Sequence, residues 1–188
     1  FYLSTLQLAS YTNGMFMNPA QILAACNLQT TDSVADFGAG SGFLSREAAK
    51  FVPKGNVFAI EIHREIVTRL ARDAQDANLT NIHPLWGDIE LPGGTRLDDA
   101  SVNFVIISNV LFHLDDKIAC IKEAKRVLKP DGRLLIVDWT ESFGGIGPAP
   151  SAVVTKQMAE ELCARAGFTK ISDTLPAGEH HYAILFKK

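Results

Sequence analysis

The chain has 188 residues, 47% of them hydrophobic and 21% charged, with a formal net charge of −3, which is the profile of one ordinary globular domain long enough to bury a core without staples. No run of Lys or Arg exceeds two residues, which argues against a phosphate-neutralising nucleic-acid surface, and no apolar stretch approaches the roughly 20 residues of a membrane span. The three cysteines, Cys26, Cys120 and Cys163, are too far apart for a zinc spacing or a disulfide framework.

Those cysteines read as buried free thiols in a reducing compartment, so the expected setting is cytoplasmic, with no metal. No signal peptide is visible, and the initial Phe1 suggests that the natural start lies upstream. The whole of 1–188 is expected to form one domain, with 1–30 as a cap and first helix and 31–188 as the core.

Residues 1–18 carry few charges and no clean period, as expected of a lid over a site. Asn18-Pro19 has the pattern of an N-cap followed by proline at the first helical position. The helix should run to about Leu28 with Ile22, Leu23 and Cys26 on one face, and Thr30-Thr31-Asp32 should turn into a strand over Ser33 to Phe37.

The stretch Val34-Ala35-Asp36-Phe37-Gly38-Ala39-Gly40-Ser41-Gly42-Phe43 is an apolar run that ends in an acid and opens into glycines. A strand that stops abruptly, turns on residues without side chains and enters a helix over Phe43 to Phe51 accounts for that order. The glycines admit backbone close to a ligand, and free amides at the helix start can meet a polar or anionic group, so a nucleotide-like cofactor is expected. The dinucleotide fingerprint G-x-G-x-x-G fits poorly. Its third glycine arrives one position early, at Gly42, and Phe43 stands where Gly or Ala is required. Asp36 would repel a pyrophosphate and attract an ammonium group. The segment Asp36 to Gly42 resembles motif I of the class I S-adenosylmethionine-dependent methyltransferases.

Asn56 to Glu61 reads as a second strand that also ends in an acid. Glu61 lies about 20 residues past the glycine turn, where a carboxylate reaches the two hydroxyls of a ribose. Arg64 to Ala77 has helical spacing of Ile66, Val67, Leu70 and Ala74. A third strand, Ile82 to Trp86, is followed by Gly87-Asp88-Ile89. In methyltransferases of this kind an acid at the Asp88 position accepts from the adenine amino group, and Ile89 would lie beside the ring.

Leu91 to Ala100 is a loop. Ser101 to Ser108 is nearly all apolar in its second half, as expected of a strand covered on both faces. Asn109-Val110-Leu111-Phe112-His113-Leu114 resembles the family's motif IV and the loop after it. Asp115-Asp116 should start a helix to about Leu128, with acids in its first turn. Lys129-Pro130-Asp131-Gly132 is a turn signal before a strand over Arg133 to Trp139. The run Val127 to Asp138 resembles the fifth-strand region of small-molecule methyltransferases, including the quinone-biosynthesis type, with Asp131 where those proteins usually have a second glycine. Glu141 to Ser151 is a Gly- and Pro-rich loop. Thr155 to Ala166 is a helix ended by Gly167, and Phe168 to Leu175 and His181 to Phe186 form a hairpin joined by Pro176-Ala177-Gly178. The resemblance covers nearly the whole chain and implies a three-layer α/β/α sandwich, a Rossmann-like seven-stranded sheet in the order 3-2-1-4-5-7-6 with the last strand antiparallel.

Methyl transfer from a sulfonium is an in-line displacement, so the protein chiefly supplies orientation and sometimes a base. The resemblance assigns the pocket for S-adenosylmethionine, and for the product S-adenosylhomocysteine, to Asp36, Gly38, Ala39, Gly40, Glu61, Ile62, Asp88, Ile89, Ser108 and Asn109. His113 and Asp138 are the candidate catalytic bases, each with a structural role as the alternative. His63 would edge the adenine pocket, and His180-His181 belong to the terminal hairpin. Phe16, Phe112, Trp139 and Phe143 are candidates to line an acceptor pocket, or are plain core. No Asn-Pro-Pro-Tyr occurs, which argues against methylation of nucleobase or glutamine amino groups. The expected activity is methylation of a small-molecule acceptor. An NAD-dependent oxidoreductase and a non-catalytic cofactor-binding module are the alternatives.

Overall fold

Asn18 accepts a hydrogen bond from the Gln21 N–H at 3.3 Å, and Pro19 sets the first turn of α1 (Pro19–Ala25). This helix stops before Leu28 because Cys26 closes it and Asn27 turns to a φ of 51°. The computed structural model describes residues 17–143 and 147–188. Most of the expected lid, Phe16 included, lies outside them.

Beyond α1 the apolar runs become strands, and the 3.6-residue patterns become helices, in alternation. They are β1 (Ser33–Phe37), α2 (Phe43–Phe51), β2 (Asn56–Glu61), α3 (Arg64–Asp76), β3 (Ile82–Trp86), β4 (Val102–Ser108), α4 (Lys117–Val127), β5 (Leu128–Trp139), α5 (Lys156–Arg165), β6 (Thr169–Ser172) and β7 (His181–Lys187). The strands form one seven-stranded sheet in the order β3-β2-β1-β4-β5-β7-β6. β7 runs antiparallel to both β5 and β6. The expected topology is therefore the observed one.

Neighbouring residues of the central strands point to opposite faces. Ile107, Ile136 and Phe37 pack under α4 and α5 with Ile121 and Cys163, while Ile106, Leu135 and Val34 pack under α1, α2 and α3 with Leu23, Ala48 and Leu70. Each such fully buried side chain contributes roughly 1.5–3 kcal/mol. All three cysteines are free and buried. Burial pushes the Cys26 thiol up to about 11 and Cys163 up to about 12, although the Arg133 charge acts in the opposite direction on Cys26.

Three further boundaries differ from the sequence reading. Asp115 and Asp116 precede α4 instead of occupying its first turn, and the Asp116 carboxylate caps it by accepting from the Ala119 N–H at 3.0 Å. β5 begins directly at Leu128, so the Lys129–Gly132 turn signal becomes an irregularity within the strand, with the β4–β5 register shifting between Val102 and Phe104. Asp131 holds a φ of 63° there, which explains why the position suits glycine. β6 is shorter than expected, ending at Ser172.

Candidate active site

β1 ends at Phe37, and the chain turns through Gly38 and Gly42, each with a φ of 72°. A Cβ on Gly38 would lie 2.6 Å from Val110 Cγ2, and one on Gly42 would lie 2.3 Å from Leu70 Cδ2. The turn is closed by its own amides. Gly38 and Ala39 both donate to the Ile60 carbonyl at 2.9 Å, Gly42 donates to the Ala39 carbonyl at 2.8 Å, and the Gly40 N–H donates to Glu61 Oε2 at 3.1 Å. These four amides of the turn itself are therefore occupied within the protein. β2 lies alongside and supplies the acceptors for Gly38, Ala39 and Gly40, while Gly42 is satisfied within the turn. What the turn presents to a ligand is Glu61 itself, whose second oxygen accepts from the His63 N–H at 3.0 Å. Two backbone donors hold this carboxylate at the strand end.

Beside the turn lie two depressions that share Gly38, Gly40 and Asn109. The larger, about 540 Å³, runs between Glu61-Ile62-His63, Asp88-Ile89 and His113. Ile62 is half exposed, whereas Ile89 is buried and backs the depression. Asp88 is fixed by accepting from the Glu90 N–H at 2.9 Å. The smaller, about 270 Å³, is lined by Asp36, Ala39, Ser108 and Met17. Asp36 is 2% exposed and accepts from Ser45 Oγ at 2.6 Å. Burial pushes its carboxyl up to about 6, opposed by the Ser45 bond and assisted by the charge of Glu61. All ten residues assigned to the cofactor from the sequence therefore border one or both depressions.

Sequence reasoning missed the support of the larger arm. The Trp86 indole N–H donates to the Ile62 carbonyl at 2.8 Å, and the guanidinium groups of Arg64 and Arg96 lie 3.8 and 4.6 Å from its ring centroids. No spacing rule joins these residues, since α3, β3 and a loop each contribute one.

The two candidate bases part company. His113 ends a 3-10 turn over Leu111–His113 and lines the larger arm, with its ring 4.0 Å from that of Phe112. Asp138 borders neither arm. It is 1% exposed, accepting from the Leu111 N–H at 3.2 Å and from the Trp139 N–H at 2.8 Å. Burial pushes its carboxyl up to about 7, with those two bonds and the charge of Lys117 acting downward. Its geometry is that of a tether between β5 and the turn that carries His113.

At the far side, Trp139 packs on His181 with ring centroids 4.2 Å apart, and Phe143 stacks on His180 at 3.7 Å. Glu141 meets His180 Nδ1 at 2.9 Å. His181 is buried, and among the described residues neither of its ring nitrogens has a hydrogen-bond partner. Burial, aided by the neighbouring His180, pushes it down to about 4, so it is neutral at physiological pH. Among the described residues there is no group of three or more side chains able to hold a metal ion, and no helix is long and apolar enough to cross a membrane.

A two-armed cleft with strand-end acids along it suits an adenosine joined to an amino-acid chain. Residues 28–176 match the family model described as a methyltransferase domain, and the chain belongs to that family, within the class I S-adenosylmethionine-dependent methyltransferases. It is 28% identical over 181 residues to acetylserotonin O-methyltransferase of Mus musculus molossinus, covering 86% of this chain and 45% of that protein. It is 29% identical over 140 residues to methyltransferase str2 of Strobilurus tenacellus, covering 73% of this chain and 47% of that protein. The chain thus spans a little under half the length of these relatives. A SAM-dependent methyltransferase from Aquifex aeolicus superposes with a TM-score of 0.83 at 23% identity, covering 99% of both chains, a likeness of fold.

Proposed function

We propose that this protein transfers a methyl group from S-adenosylmethionine to a small-molecule acceptor. The observation that carries the reading is the meeting of two arms at Gly38, Gly40 and Asn109, with a fixed carboxylate, Glu61, on one and a buried carboxylate, Asp36, on the other. Glu61 accepts from the ribose hydroxyls and Asp88 from the adenine amino group, with Ile62 and Ile89 flanking the base. Asp36 draws the ammonium group of the amino-acid end, directly or through water. The bound cofactor supplies an activated methyl group for in-line displacement. The protein's own part is to orient the acceptor against it and exclude water.

His113 is the proposed proton acceptor, and Asp138 steadies the turn that carries it. The acceptor is assigned to the carboxyl ends of β4 and β5, where the partly exposed Phe143 offers an apolar ring. Supporting a small acceptor are the names of the relatives, acetylserotonin O-methyltransferase among them, and the net charge of −3, which does not favour nucleic acid. The buried free thiols agree with a reducing, cytoplasmic setting.

Calorimetry with S-adenosylmethionine, S-adenosylhomocysteine and NAD in parallel tests the cofactor. Binding of the first two and not of NAD is expected, and binding of NAD alone would overturn the reading. An acceptor screen by methyl transfer then tests turnover. Tight cofactor binding with no transfer to any acceptor would favour a regulatory module of the same fold.

A further inference from the structure

The segment from Leu111 to Asp116, which includes His113, is held from outside at both ends. At its start the Leu111 N–H donates to Asp138 at 3.2 Å, and at its end the Asp116 N–H donates to the Glu90 carboxylate. Between them the Leu114 carbonyl accepts from Lys117 Nζ at 2.7 Å. Asp138 and Lys117 border neither arm of the cleft, whereas Glu90 lines the larger one beside Asp88 and Ile89. Among the described residues, Glu90 is the one side chain from the opposite wall of that arm that hydrogen-bonds to this segment.

Glu90 is tied on its other side as well. Its own N–H donates to Asp88 Oδ1 at 2.9 Å, and Asp116 in turn caps α4 by accepting from the Ala119 N–H at 3.0 Å. A carboxylate is a stronger acceptor for a backbone amide than a neutral oxygen is, so Glu90 joins the turn over 88–90 to the segment that carries His113 and to the helix behind it. A guest lying against Asp88 and Ile89 restricts that turn, and a carboxylate already restricted gives up less freedom in holding the Asp116 amide. Occupancy of the larger arm therefore favours the Glu90 to Asp116 bond, and the bond favours one placement of His113.

We infer that Glu90 is a positioning residue that couples occupancy of the adenosine arm to the placement of His113. The inference rests on the cofactor reading above, with His113 as the proton acceptor. Its consequence is that the proton acceptor is set in place when the methyl donor is present and is loosened when it is not. The coupling is reciprocal, since whatever the bound ligand adds to the Glu90 to Asp116 bond, the bond adds to the ligand's affinity.

The test needs no acceptor. Calorimetry and amide hydrogen exchange, both with S-adenosylhomocysteine, compare the parent with Glu90→Ala, which removes the carboxylate, and with Glu90→Gln, whose side-chain oxygen still accepts. Saturation with the ligand should slow exchange of the 111–116 amides about tenfold in the parent, the scale of one hydrogen bond to a charged group, and less than about threefold in Glu90→Ala, with Glu90→Gln recovering toward the parent. The affinity of Glu90→Ala should fall by less than about tenfold, so that saturation is still reached. A tie that is merely structural would lower protection in the free and the bound protein alike. A bound-to-free ratio in Glu90→Ala equal to that of the parent would therefore overturn the inference and leave the cofactor reading intact. So would a parent that binds the ligand without slower exchange over 111–116. If the parent does not bind the ligand, the cofactor reading fails and this inference falls with it. Should Glu90→Ala fail to fold, Glu90→Asp decides, because its shorter side chain falls short of the Asp116 amide and an unchanged ratio there also overturns the inference.

Discussion

Glu61 and Asp138 both lie at the carboxyl ends of parallel strands, both are buried, and both accept from two backbone amides, yet only Glu61 faces the cleft. The amides that hold Glu61 come from Gly40 and His63, which border the cleft themselves. Those that hold Asp138 come from Leu111 and Trp139, which border neither arm. The role of a strand-end acid is thus decided by which loop supplies its donors. The region around β1 and β2 presents its carboxylate to a guest, whereas the region around β4 and β5 uses its carboxylate to hold the protein together.

Replacing each acid should separate the two regions most sharply. Glu61→Ala removes the ribose acceptor and leaves the Gly40 amide without its partner, so affinity for S-adenosylhomocysteine in calorimetry should drop by about 100-fold or more. Asp138→Asn should leave that affinity within about threefold and act on stability instead; a loss as large as that of Glu61→Ala would erase the distinction.

The pH dependence of stability carries the next largest effect. Asp36 and Asp138 hold their protons more tightly in the folded protein than in the unfolded chain. Their contribution is therefore fully present below the ordinary carboxylate range near 4, and is lost as pH rises through about 6 for Asp36 and about 7 for Asp138. Melting temperature followed from pH 5 to pH 8 should fall in the parent, and by about a third as much in Asp138→Asn, which removes the group with the wider window. Glu123 runs the other way. Burial alone would raise it, but Arg126, Thr95 and the Gly93 amide together lower it to about 2, so its contribution is present above the ordinary range and is lost as pH falls toward that value. A parent whose melting temperature is flat from pH 5 to pH 8 would contradict the burial of the two raised carboxyls.

Smaller effects distinguish positions within the turns. Gly42→Ala forces a residue with a Cβ into a φ of 72° and against Leu70, and should cost about 1–3 kcal/mol of stability, read as a lowered denaturant midpoint. Leu70 can yield at the end of its side chain, which keeps the figure modest. Asp131→Gly relieves a φ of 63° but gives up an exposed ion pair with Lys187 at 2.9 Å, and should change stability by less than about 1 kcal/mol. A large destabilisation there would mean that the ion pair matters more than exposed pairs usually do.

Much of this was legible from local patterns. The continuous apolar runs of β1, β2 and β4, the helical spacing in α3 and the glycine turn each specify their own conformation within about ten residues, and the acids Asp36, Glu61 and Asp88 lie at the ends of β1, β2 and β3. Where the reading failed, a competing contact from elsewhere in the chain decided. Asp116 caps α4 instead of entering it, and the turn signal at Lys129–Gly132 was absorbed into β5.

By itself, then, the sequence determined the alternation of strands and helices and the position of the glycine turn, because hydrophobic periodicity and the conformational freedom of glycine act over short stretches; the ten cofactor residues were implied by the family resemblance. The tertiary structure alone decided that Asp138 is a tether, that Trp86 is clasped by Arg64 and Arg96, and that Glu90 holds the Asp116 amide. Each of these depends on which groups from distant strands arrive within about 3–5 Å and on the water they exclude, and no local pattern encodes that.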